Sequence, residues 1–185
     1  MTTAQATAAK ETAIPAGTWR SDSVHSHIDF TVKHAGVSTF RGGFEEFEAV
    51  LENEDGEPRL RGRVRVDSVD VRDENLNGHL LSPDFFDAER HPELSFNSTG
   101  IRLEGDDLIV DGDLTIKGTT RAVEARGQLT GPVDISAGER IGIDLQSALD
   151  RTEFGVDWNA ELPDGRVMVE NEVTVTVHLE LAKEE

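Results

Sequence analysis

At 185 residues the chain is long enough for one domain with a substantial core. Its 37 acidic and 18 basic residues give a formal net charge of −19, which opposes long-lived contact with nucleic acid or anionic membrane, because phosphate binding draws on Lys and Arg. The absence of cysteine excludes disulfides and thiolate chemistry, and no apolar run approaches the roughly 20 residues of a membrane-spanning helix.

Residues 1–16 are Ala- and Thr-rich without periodicity and are expected to form a disordered tail ahead of one domain over residues 17–185. They show no basic segment followed by an apolar one, so the expectation is a cytoplasmic protein. From there the chain alternates apolar and polar residues in short runs bounded by Gly, Asp, Asn and Pro, the signature of an antiparallel barrel or sandwich. Ile28, Phe30 and Val32 form the first such face, followed by Phe47, Ala49 and Leu51 and, beyond the turn residues EDGEP, by Leu60, Gly62, Val64 and Val66. Arg59, Arg61, Arg63 and Arg65 occupy the opposite face of that last run and are expected to pair with Glu across the sheet.

The next segment breaks the alternation. Ser82, Pro83 and Asp84 read as a helix start, with the hydroxyl capping free amides, proline at the first helical position and a carboxylate at the positive end. Pro92 limits how far such a helix can run. A helix this short is not stable alone, so Phe85 and Phe86 must dock it on something larger, as a lid on the sheet. Alternation then returns at Leu94 and Phe96, Leu108 to Ile116, Val123 to Leu129, Ile141 to Leu145 and Val173 to Leu181. The count is about eight strands with one face apolar throughout.

Eight antiparallel strands closed into a barrel leave an interior that side chains can fill or that can hold one small ligand. The inward set is mostly Val, Ile, Leu, Ala and Gly, and aromatics are 5% of residues, which favours an incompletely filled barrel. A tighter barrel of the same residues would pack solid.

Signals of reaction chemistry are sparse. His25 and His27, two apart, would share one face of a strand as a metal pair requires, but no third ligand is in view, and a His-dependent metalloenzyme ranks below the other readings. No nucleophile elbow occurs, and the glycine runs RGGF and TGPVDISAG do not lie between a strand and a helix as a phosphate loop must. No enzyme activity, metal or cofactor is expected. Trp19 and Trp158 are expected at a rim or in the core, each indole N–H needing an acceptor.

Five segments in order, TWRSDSVHSHIDFTVKH, FRGGFEEFEA, NGHLLSPDFFDAERHPELSFNSTG, GDLTIKGTTR and LDRTEFGV, resemble the YceI-like family, lipocalin-like polyisoprenoid-binding proteins. The resemblance spans roughly Gly17 to Glu180 and implies an all-β fold: an antiparallel eight-stranded lipocalin-like β-barrel with a short helix in a lid segment. It implies a non-catalytic carrier that holds a polyisoprenoid, isoprenoid quinone or fatty-acyl tail in the barrel, often as a homodimer. The ligand-lining residues implied here are Phe30, Val32, Phe44, Phe47, Val64, Leu80, Phe85, Phe86, Phe96, Leu114, Ile143, Phe154 and Trp158. Leu76 and Asn77 stand where many members of the family carry Arg and Asp. A solid-cored module acting through its outer surface is the main alternative.

Overall fold

The computed structural model describes residues 13–185. In chain order the elements are β1 (Gly17–Ser21), β2 (His27–His34), β3 (Ser38–Phe44), β4 (Phe47–Glu54), β5 (Glu57–Arg65), β6 (Val69–Asp70), α1 (Glu74–Leu81), β7 (Glu93–Glu104), β8 (Asp107–Ile116), β9 (Thr119–Ile135), β10 (Gly138–Asp150) and β11 (Val169–Lys183). All pairings between named strands are antiparallel, and β1-β4-β5-β7-β8-β9-β10-β11 closes into an eight-stranded barrel through the pairing of β1 with β11. The expected fold class is therefore the observed one.

The way the ring closes is less regular than eight uniform strands. The long strand β11 changes partner along its length: Leu181 to Lys183 pair with β1, whereas Val169 to His178 pair with β2. β3 continues from β2 and passes through a two-residue turn, Glu45–Glu46, into β4. The barrel thus has a lower half walled by β1 and β4 and an upper half walled by β2 and β3. The Ile28–Val32 run belongs to that upper wall, outside the closed ring.

Two seams open in the upper half. β5 ends at Arg65, and residues 66–92, with the short β6 and α1, cross the space between β3 and β7. On the other side β9 and β10 stay paired only as far as Arg126 and Gln146, after which a single bond from Ser147 Oγ to the Glu124 carbonyl spans the gap at 2.7 Å. At the point of divergence a Cβ on Gly127 would run into the Asp144 carbonyl, so this close approach of the strands requires glycine.

Local chemistry explains the tight connections. The β4–β5 loop is Asp55–Gly56, both with positive φ (57° and 82°), the geometry a two-residue hairpin needs for the right-handed strand twist. Two of the four arginines on the outer face of β5 pair with Glu across the sheet, Arg61 with Glu52 at 2.6 Å and Arg65 with Glu46 at 3.5 Å, whereas Arg59 lies 3.8 Å from Glu57 of its own strand. Arg65 also pairs with Asp67 at 2.5 Å.

Two expectations about local structure change. The helix precedes Ser82: α1 is capped by Asp73, whose Oδ1 accepts from the Leu76 N–H at 2.8 Å, with Glu74 in its first turn. Ser82 ends the helix, its hydroxyl donating to the His79 carbonyl at 2.7 Å. The Ser82 hydroxyl does accept from the Asp84 N–H at 3.3 Å, but Asp87 has a φ of 51°, and residues 83–91 form turns rather than a helix. The N-terminal expectation falls mostly on residues 1–12, outside the described residues. Next to them, Ile14 packs against the lower core and its carbonyl accepts from Asn53 Nδ2 at 2.8 Å, so ordered structure begins before Gly17.

Candidate ligand-binding site

The two halves hold separate clusters of buried residues. The lower one contains Trp19, Leu51, Leu60, Leu108, Val110, Ile141, Ile143 and Leu181 and leaves a residual void of about 10 Å³. The upper one, with Phe44, Val66, Leu80, Phe85, Leu94, Leu149 and Phe154, surrounds a cavity of about 750 Å³. That volume lies in the upper part of the range for small-ligand pockets, about 300–1,000 Å³. The cavity wall is overwhelmingly aliphatic and aromatic. It reaches exposed residues at the tip of the β2–β3 hairpin, His34, Ser38 and Thr39, so the hollow opens at that end.

Eleven of the thirteen residues singled out from sequence line this cavity. Phe30 and Val32 come from β2, Phe44 from β3, Val64 from β5, Phe96 from β7 and Leu114 from β8; Leu80 comes from α1, Phe85 and Phe86 from the turns after it, and Phe154 and Trp158 from the segment after β10. Phe47 and Ile143 do not line it. Both lie on the inward face in the lower half, where Phe47 packs on the solid core and Ile143 is part of it. Alternation identified their face correctly but carries no information about height along the barrel axis.

His79, Arg151, Leu76 and the Val173–Val175–Val177 stripe of β11 also line the cavity, although none is among the ligand-lining residues expected from sequence. The stripe is visible in sequence as alternation, which marks its inward face but not its height along the barrel. His79 lies between Phe85 and Trp158, edge-on to each at 4.9 and 4.8 Å, while its Nε2 is 3.0 Å from Asp84 Oδ2. Phe30, Phe44 and Phe86 form a second chain of contacts, each neighbouring pair 5.8 Å apart. At the positions where the family pattern has Arg and Asp, Leu76 faces the cavity and Asn77 Oδ1 accepts from the Val71 N–H at 3.0 Å.

Arg151 is 7% exposed, yet among the described residues it bonds no carboxylate. Its Nε donates to the Glu170 carbonyl at 2.9 Å, Nη1 to those of Val156 and Trp158 at 2.7 and 3.0 Å, and Nη2 to that of Val169 at 3.1 Å. Burial pulls its guanidinium below the ordinary arginine value, with Asp150 and Asp157 opposing. One side chain thus ties the turn that carries Phe154 and Trp158 to the start of β11. Lys117 adds a second tie, its Nζ donating to the carbonyls of Pro83 and Gly155 at 2.7 and 3.0 Å, which joins the lid turns to the same segment.

The histidine pair expected on one strand is split. His25 sits in the turn between β1 and β2, 3.3 Å from Asp22 and 4.0 Å from Glu180, while the exposed His27 begins β2. Trp19 is fully buried in the lower core and its indole donates to the Ala16 carbonyl at 3.3 Å. Trp158 is half-buried on the cavity wall.

Known proteins agree with this architecture. The YceI-like domain family matches residues 19–181. The chain belongs to the YceI-like family. Among curated members, protein YceI of an Escherichia coli O17:K52:H18 strain is 29% identical over 136 residues, 71% of each chain. A UPF0312 protein of Photorhabdus laumondii is 31% identical over 134 residues, 70% of each. In fold, the chain is similar to Burkholderia cenocepacia BcnA, with a TM-score of 0.74 at 22% identity over 88% of this chain and 99% of that one. It is also similar to a polyisoprenoid binding domain from Saccharophagus degradans implicated in plant cell wall breakdown, with a TM-score of 0.67 at 11% identity over 92% and 100%.

Proposed function

We propose that this YceI-like protein is a non-catalytic carrier that sequesters the apolar tail of a polyisoprenoid, isoprenoid quinone or fatty-acyl ligand in the upper half of its barrel. The observation that carries the reading is the apolar cavity of about 750 Å³ bounded by a lid. Apolar wall left without partner atoms forfeits dispersion contacts, and a hydrocarbon guest restores them. The polyisoprenoid-binding neighbour supports the same ligand class by analogy of fold.

Each buried methylene contributes about 0.8 kcal/mol relative to water, so a long tail would exceed any practical affinity if its alternative were water. Its real alternative is a bilayer, and transfer from bilayer to barrel is nearly balanced. Loading is then governed by the aromatic lid rather than by total burial. A filled interior acting only as a scaffold suits the lower half alone. A cytoplasmic, homodimeric protein completes the proposal, checked by cell fractionation and sedimentation.

Organic extraction of protein purified from its native host, followed by mass spectrometry, tests the carrier reading. Stoichiometric prenyl or long-acyl lipid is expected; an extract free of any long-chain lipid would overturn it.

A further inference from the structure

The cavity is closed at its lower end by residues that belong to both the wall and the lower core. Among the described residues, Leu60 is the one that borders both the cavity and the small void beneath it. It is 5% exposed and sits two residues before Gly62 on the inward face of β5. Gly62 pairs in register with Ala49 of β4, and both line the cavity just above Leu60.

Gly62 differs from Gly112, a buried wall glycine of β8 outside the cavity lining. A Cβ at Gly112 would collide with the Phe96 ring, so the ring needs that glycine. A Cβ at Gly62 would meet nothing closer than 3.9 Å, an ordinary contact with the Glu48 carbonyl and Phe96 Cβ, and Gly62 is not among the glycines with positive φ. Neither backbone conformation nor close approach calls for glycine there, although glycine inside a strand weakens it. What the missing side chain leaves is space at the bottom of the hollow.

We propose that the cavity is a blind pocket whose depth, set by Leu60 beneath the facing pair Ala49 and Gly62, determines the longest apolar tail the protein accepts. This deepens the carrier reading and rests on it. A tail enters with its apolar terminus leading and stops at Leu60. A longer one must leave carbons outside, in contact with water or the lid. Taking a methylene as comparable in size to a water molecule, roughly 30 Å³ in the liquid, the hollow holds on the order of 25 such groups, a tail of about five prenyl units.

The test measures binding of linear prenols of increasing length, from farnesol upward, to the full chain and to two variants of opposite sign. Leu60→Ala removes three carbons from the stop, which at about 30 Å³ per carbon makes room for part of a further prenyl unit, and is expected to raise the affinity of the next longer prenol several-fold relative to the shorter ones. Gly62→Ala adds a methyl where space is open. It is expected to hold or raise the melting temperature, because it restricts the unfolded chain at a compatible position, and to weaken the longest prenols several-fold while leaving short ones unchanged. An unchanged length profile in both variants would overturn the proposal, as would a Gly62→Ala variant that loses stability and binds every length more weakly. Should the wild-type chain bind no prenol of any length, the carrier reading itself falls, and this one with it.

Discussion

The lower and upper halves of the barrel are built from the same kinds of residue and end in opposite states. Below, β1 and β4 complete a continuous hydrogen-bonded ring, and Trp19, Leu51, Leu108, Val110, Ile141 and Leu181 fill it, each at most 2% exposed. Above, the wall is parted along two seams, and the residues facing inward, among them Phe30, Val64, Leu114 and Val175, are only partly buried because they border a hollow. Apolar character therefore does not decide whether a barrel is solid; wall continuity does, since a ring that closes tightly draws its side chains within contact distance and a splayed one cannot.

The comparison can be broken by mutation. Trp19→Ala should cost about 3–5 kcal/mol, because a filled core cannot collapse onto the gap, whereas Leu114→Ala should cost about 1 kcal/mol, since that side chain already lacks neighbours on its cavity side. Denaturant unfolding of the two variants reads both, and equal losses would refute the distinction between the halves. Arg151→Met should rank between them, on the order of 3 kcal/mol, because carbonyls that now accept from the guanidinium lose their donors. Its effect should be local: hydrogen exchange should accelerate in residues 151–169 while the lower ring stays protected.

The smallest expected effect is that of acid. Asp22 is held below the ordinary value of 3.8 chiefly by the Val24 N–H, Asp67 and Asp164 by hydrogen bonds from Arg65 and Arg166, and Asp150 by the Thr152 hydroxyl. A carboxyl depressed in the folded state contributes stability that is complete above its ordinary value and is lost as pH falls through the lowered one. The denaturation midpoint should hence be flat with respect to these groups above about pH 5 and decline below about pH 4. Asp67 and Asp164 lie in connections of the upper half and Asp150 at the end of β10, so exchange protection there should weaken before that of the lower ring.

The barrel class and the inward face of most strands could be read directly from period-two alternation, because a strand's side chains alternate faces whatever it pairs with. The family motifs pointed in the same way to eleven residues of the cavity wall. Phe47 and Ile143 show the limit: they occupy the right face at the wrong height, and height depends on registers between strands far apart in sequence. The helix shows a second limit. Asp73 and Ser82 both carry capping chemistry, and in the folded chain Asp73 caps the start of the helix and Ser82 its end, with Leu76 and Leu80 on the cavity wall.

The sequence by itself determined that this chain folds as an apolar-faced antiparallel barrel with an aromatic-rich lid, since alternation, turn residues and composition are local properties. Only the tertiary structure decided that half of the barrel is hollow. That outcome depends on β11 exchanging β1 for β2 and on β9 parting from β10, long-range pairings whose free energy no single segment carries.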